Sequence, residues 1–95
     1  MLLCRNNKIT TLKGFPNTIS DNLWLEVNPI KIIDESVICE LDIFIKYTDF
    51  DDKIKSLSKE RLRILFEHGV DYDIFHKDGS INDSTLERLF KDFNI

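Results

Sequence analysis

The chain has 95 residues and a net charge of −4, with 42% hydrophobic and 32% charged residues. That suffices for one domain with a single core and little surplus stability, and it is too apolar for a disordered chain. No run approaches the roughly 18 apolar residues of a membrane helix, and an acidic chain has no sequence-independent attraction to anionic lipid or nucleic acid. A membrane partner is therefore not expected.

The N-terminus, Met1-Leu2-Leu3-Cys4-Arg5-Asn6-Asn7, lacks the basic start and long apolar stretch of a secretory signal. A cytoplasmic protein is expected. Cys4 and Cys39 stand where the surrounding pattern otherwise takes Leu or Ile, so both read as reduced thiols acting as small core hydrophobes.

Leu2, Cys4, Asn7 and Ile9 return as Leu23, Leu25, Asn28 and Ile30, each 21 residues further on. A fixed offset at four positions marks an internal repeat. Each unit is expected to be a short strand, an asparagine-fixed turn and a return limb. Strand side chains alternate, so Leu2, Cys4, Leu23 and Leu25 should face inward, and Leu3, Arg5, Trp24 and Glu26 outward. Asn7 and Asn28 follow the strands, where an amide can bond backbone groups that a turning chain leaves unpaired. Ile9, Leu12, Phe15 and Ile19 would fill the return limb, and Lys13-Gly14-Phe15-Pro16-Asn17 reads as a turn.

From residue 34 the character changes. Asp34 can cap a helix running to about Tyr47, with Val37, Ile38, Leu41, Phe44 and Ile45 at helical spacing. Thr48-Asp49-Phe50-Asp51-Asp52 is a break, and one or two helices follow over 52–68. Ser58 is the expected N-cap, Leu57 and Leu62 the staple, Leu62, Leu65 and Phe66 the buried stripe, and Gly69 a left-handed C-cap. Asp78-Gly79 signals a tight turn or small hairpin. Ser84-Thr85-Leu86-Glu87 has the form of a capping box opening a last helix with Leu86, Leu89, Phe90 and Phe93 on one face.

The first third of the chain resembles a leucine-rich repeat protein, on Leu2, Cys4, Asn7 and Ile9 and then Leu23, Leu25, Asn28 and Ile30. The stretch from Ile9 to Ile19 is similar to the linker of short repeat arrays common in bacteriophage proteins. The resemblance implies an α+β fold: about two short coils with short parallel strands over 1–33, packed against a helical cap region over 34–95, all in one domain. It also implies a protein-binding module, with Leu3, Arg5, Trp24 and Glu26 lining the partner-facing surface. A phage protein that blocks a host factor or defence component fits that reading. Two coils are fewer than a solenoid normally needs, so the helical half should cap them, or the open first strand should pair with a second copy as a homodimer. The letters around His68-Gly69-Val70-Asp71 also resemble part of an ankyrin repeat, but a helix ending in Gly satisfies them equally.

No group of residues converges on catalysis. His68 and His76 lack a standard zinc spacing with Asp71 or Asp73, no register of Asp71, Asp73 and Asp78 supplies a calcium loop, and Gly14, Gly69 and Gly79 are too scattered for a phosphate loop. No enzyme activity, metal or cofactor is expected. Two other readings stay open. Asp49, Asp51, Asp52, Asp71, Asp73 and Asp78 could mimic nucleic-acid phosphates in a basic groove of a partner. Lys53, Lys55, Lys59, Arg61 and Arg63 could make a small helix-based DNA binder, though the same residues suit the solvated face of an amphipathic helix.

Overall fold

A computed structural model of the chain describes residues 7–95, together with the backbone of Leu2–Leu3. Cys4, Arg5 and the side chain of Leu3 lie outside the described residues. The protein is a small α+β fold in which the expected strands form but the boundary between its two parts moves.

Three two-residue strands, β1 (Leu2–Leu3), β3 (Leu23–Trp24) and β5 (Ile43–Phe44), make a parallel sheet in the order β1-β3-β5. Leu2 pairs with Leu23 and Leu23 with Ile43, so the spatial step matches the sequence repeat and then continues it once more at 20 residues. A second parallel pair, β2 (Thr18–Ile19) and β4 (Ile38–Cys39), closes the opposite side. The chain thus winds three times before its first helix.

The helix expected from Asp34 to Tyr47 is not formed, and residues 34–50 instead complete the second winding through β4 and begin the third through β5. Burial explains the error. Val37, Cys39, Ile43 and Ile45 are buried, whereas Ile38 and Leu41, which a helical stripe would bury, are 38% and 48% exposed. Asp34 does no helix capping. Its carboxylate accepts the Leu12 N–H at 2.9 Å and the Thr11 hydroxyl, tying the second winding to the first.

Asn28 is the main rung between windings. It is buried, its Oδ1 accepts the N–H groups of Asn7 (2.9 Å) and Ile9 (3.0 Å), and its Nδ2 donates to the carbonyls of Leu25 (2.9 Å) and Glu26 (3.2 Å). One side chain therefore satisfies four backbone groups that the turn strips from the ladder. At the equivalent place in the third winding stands Thr48, whose shorter hydroxyl reaches only the Ile45 carbonyl, at 2.6 Å. The residues just before these two, Val27 and Tyr47, both adopt left-handed backbone (φ 61° each). For a β-branched valine that is a strained conformation, held here by the neighbouring Asn28 bonds.

The second part has three helices: α1 (Asp52–Lys55), α2 (Lys59–His68) and α3 (Asp83–Asp92). Ser58 caps α2 by accepting the Arg61 N–H, as its position predicts. Gly69 is not a left-handed cap. It is right-handed (φ −62°) and opens a 3₁₀ turn, Gly69–Tyr72, while Asp73 takes the left-handed position (φ 53°). What Gly69 supplies is room, since a Cβ there would lie 2.8 Å from Leu65 Cδ1. α3 begins one residue before Ser84, with Asn82 as its N-cap, so the Ser84 capping box is not the helix start; the Ser84 hydroxyl donates to Asn82 Oδ1. The Asp78-Gly79 turn is present, bracketed by an antiparallel bridge between Phe75 and Ile81. Gly79 has φ 89°, and a Cβ there would press on the Lys31 side chain at 3.1 Å.

A single core joins both parts. Leu12, Leu23, Leu25, Ile30 and Val37 from the windings meet Phe50, Ile54, Leu65, Phe66, Ile74 and Leu89 from the helical side. α2 packs on β4 of the second winding, where the Phe66 carbonyl accepts the Val37 N–H at 2.9 Å and Arg63 donates to the Glu40 carbonyl at 3.0 Å.

Candidate interaction face

The sheet has an inward and an outward face, and the alternation of side chains assigns residues to each. Leu23, Leu25, Ile43 and Ile45 are buried in the core. Trp24 and Phe44 are half-buried on the other face, with Glu26 half-buried and Lys46 exposed beyond them. Leu3, Trp24 and Phe44 share one register position across the three strands.

The Trp24 and Phe44 rings stack with centroids 4.0 Å apart and planes 17° from parallel. Such a pair contributes about 1 kcal/mol beyond its buried area. The Trp24 indole N–H is buried and has no hydrogen-bond acceptor among the described residues. An unpaired donor of this kind costs roughly 1–3 kcal/mol, so the outward aromatic pair is not optimised for the isolated chain.

Beside this pair a groove of about 580 Å³ runs between β5 and the α1–α2 segment. Its strand side is formed by the run from Asp42 to Tyr47, and its helix side by Lys55, Leu57, Lys59 and Leu62, with Glu26 at one margin. Lys59 Nζ lies 3.2 Å from the Asp42 carboxylate. Lys46 Nζ sits over the Tyr47 ring at 5.2 Å, and that ring is 68% exposed. β5 ends at Phe44, and a turn at Lys46 and the left-handed Tyr47 follows it.

No family model, curated protein or solved structure matches the chain. The functional reading therefore rests on the geometry.

Of the residues expected to face a partner, the fold brings Trp24 and Glu26 together on the outward face. Phe44, Lys46 and Tyr47 join them, and sequence reasoning assigned these to a helix. The signal was present: Ile43, Ile45, Thr48 and Phe50 follow Leu23, Leu25, Asn28 and Ile30 at an offset of 20, with Phe44 behind Trp24 and Lys46 behind Glu26.

The acidic residues are spread over structural duties. Asp51 caps α1 by accepting the Lys53 N–H at 2.9 Å. Asp78 accepts the Ser80 hydroxyl at 2.6 Å and the Ser80 N–H at 2.9 Å, and these bonds hold its carboxyl below the usual carboxylate range. Asp73 fills the left-handed turn after Tyr72 and Asp71 lies within the 3₁₀ turn; Asp49 and Asp52 are exposed on either side of the α1 start. Asp21, near β3, is also held low, chiefly by the Asn22 N–H.

The basic set is largely engaged within the chain. Lys53 pairs with Asp83 at 2.6 Å, which raises its pKa, and Lys59 pairs with Asp42. The Arg61 guanidinium lies 4.9 Å from the Phe90 ring centre and Arg63 bonds the Glu40 carbonyl. Lys55 of the five has no such contact among the described residues. His68 stacks on Phe93 at 4.3 Å rather than converging with His76. Among the described residues no group of three or more His, Cys, Asp and Glu could hold a metal ion, and no helix is long and apolar enough to cross a membrane. Cys39 is buried with its Sγ 3.2 Å from the Asp21 carbonyl.

Proposed function

We propose that this chain is a small protein-interaction module of leucine-rich-repeat type, whose partner seats against the outward face of β1, β3 and β5. The observation that carries the reading is the Trp24–Phe44 stack: two large aromatic rings side by side on the face the core does not use, one with an N–H unpaired among the described residues. Tryptophan anchors dominate interface energies, and the groove next to the stack offers a second apolar surface. The two steps of 21 and 20 residues between the three strands support the repeat reading, and α2 supplies the cap that a short array needs. The phage-type linker makes a host protein in the cytoplasm the expected target, with steric block as the mode.

The test uses the tagged full chain to capture partners from bacterial host lysate, identified by mass spectrometry, followed by measurement of the purified pair. Lys46→Glu and Trp24→Phe, both compatible with the fold, should each weaken binding, the pair together by about thirtyfold or more. Lys91→Glu, exposed on α3, should leave it unchanged. Trp24 is the sole tryptophan, so its fluorescence reports directly on the face. If the partner binds equally well to the face variants and leaves Trp24 emission unmoved, the outward face is not the site.

A further inference from the structure

β5 is the last strand of its sheet, and no described strand continues beyond it. In a parallel ladder, alternate residues direct their backbone groups to opposite sides. Here Leu23 N–H donates to the Asp42 carbonyl and Leu25 N–H to the Phe44 carbonyl, both at 2.9 Å, and Val27 N–H to Lys46 at 3.3 Å. Asp42, Phe44 and Lys46 therefore face β3. The N–H groups of Ile43 and Ile45, and the Ile43 carbonyl, point the other way. The groove along residues 42–47 lies on this strand, between it and α1–α2.

An open strand edge beside an apolar groove is the geometry of strand addition, in which an extended peptide takes up free main-chain groups while alternate side chains enter pockets. We propose that the groove binds an extended acidic segment of another protein as a fourth strand on β5. The extended part of the edge, Asp42 to Ile45, spans about 10 Å at a strand rise of about 3.3 Å per residue before the turn at Lys46 and Tyr47, room for about three residues of ligand. Phe44, Leu57 and Leu62 offer apolar seats for alternate side chains.

Charge selects the occupant. The chain as a whole is acidic, at −4, yet this groove is not. Lys59 neutralises Asp42, which leaves Lys46 and Lys55 against Glu26 alone. The free N–H groups of Ile43 and Ile45 add to the positive character. The same lysines argue against a second copy as occupant, because edge-to-edge pairing of two β5 strands would bring both lysine sets together.

This inference rests on the reading of the chain as an interaction module and adds how, and with what chemistry, it engages its partner. The experiment screens a displayed library of short peptides in which Asp or Glu alternates with Leu, Ile, Val or Phe, alongside the same library with Lys and Arg at the acidic positions. The acidic library should yield binders. Bound peptide should slow amide hydrogen exchange at Ile43 and Ile45, leaving Phe44, already bonded within the sheet, little changed. Lys55→Glu and Lys46→Glu should each lower affinity about tenfold, and N-methylation at alternate peptide positions should abolish binding in one register only. Enrichment from the basic library, from neither library, or binding without protection of Ile43 and Ile45 overturns strand addition. So does concentration-dependent self-association that protects these two amides without peptide. A lysate partner that shifts Trp24 emission while both amides still exchange freely removes the edge mode and leaves the outward-face reading standing.

Discussion

The two parts of this chain are stabilised over very different sequence distances. In the wound part, residues 7–50, strands are two residues long and the hydrogen bonds that matter reach across whole windings: Asn28 to Asn7, Asp34 to Leu12, Leu23 to Asp42. In the helical part, two ten-residue helices satisfy their own backbones and contribute apolar stripes, Leu62, Leu65 and Phe66 on one and Leu86, Leu89 and Phe90 on the other. Local hydrogen bonding makes a helix nearly self-sufficient once one face is covered. A winding has no such independence, because each rung is useless until its neighbour is in place. The wound part thus depends on buried polar side chains and on its cap, whereas the helical part depends chiefly on packing.

The strongest test of this contrast is at the junction. Phe66 is fully buried, meets the Phe50 ring edge-on at 6.0 Å, and its carbonyl holds Val37 of the second winding. Phe66→Ala should cost about 4 kcal/mol, a large part of the stability of a domain this size. Unfolding in denaturant should remain one transition, with Trp24 fluorescence reporting the wound part and far-ultraviolet circular dichroism the helices. Separate transitions would show that the windings stand without their cap.

Asn28→Ala comes next, at about 3 kcal/mol, because it strands two part-buried N–H groups and two carbonyls at once. Thr48→Val removes only the bond to Ile45 and should cost about 1 kcal/mol. Denaturant midpoints of the two variants compare a rung between windings with a bond inside one. Equal losses would mean that the inter-winding rungs are not what holds the windings together.

The same contrast decides how much could be read from the sequence. Helices announce themselves through spacings of three and four, and Ser58, the stripes of α2 and α3 and the break near Asp51 were legible on that basis. The first two windings were legible because Leu2, Cys4, Asn7 and Ile9 return as Leu23, Leu25, Asn28 and Ile30 at a constant step. The third was not, for two physical reasons. Its step is 20 rather than 21, and Thr48 and Phe50 replace Asn and Ile where the array ends and has no further rung to make. Val37, Leu41, Phe44 and Ile45 meanwhile imitate a helical face. Half of the outward face was therefore hidden: Trp24 and Glu26 were found, but their neighbours Phe44 and Lys46 were not. Gly69 misled in a similar way, since a glycine after a helix can supply clearance as well as a left-handed turn. Asp73 took the turn instead, with no local signal to distinguish it from the other aspartates.

The smallest effect expected lies at the surface of the helical part, where the Tyr72 hydroxyl donates to Asp92 Oδ2 at 2.8 Å and joins the 3₁₀ turn to the end of α3. That bond raises the phenol pKa above its ordinary value. A group whose folded pKa is raised adds stability that is complete below its unfolded pKa and is lost as pH rises through the folded one, so this contact loosens on the alkaline side only. The opposite holds for Asp78, held low by Ser80, whose contribution is present above the ordinary carboxylate range and fades as acid brings the pH down through its folded pKa. The chain has two tyrosines, and in Tyr47→Phe only Tyr72 titrates. Its ultraviolet difference titration should show a midpoint above that of a free phenol, and adding Asp92→Asn should bring the midpoint down. Adding Asp92→Asn leaves the wound part untouched, so Trp24 emission should be the same in the two variants at neutral pH. An Asp92→Asn variant that titrates like its parent would remove the tie between the 3₁₀ turn and α3, leaving apolar packing alone to join them.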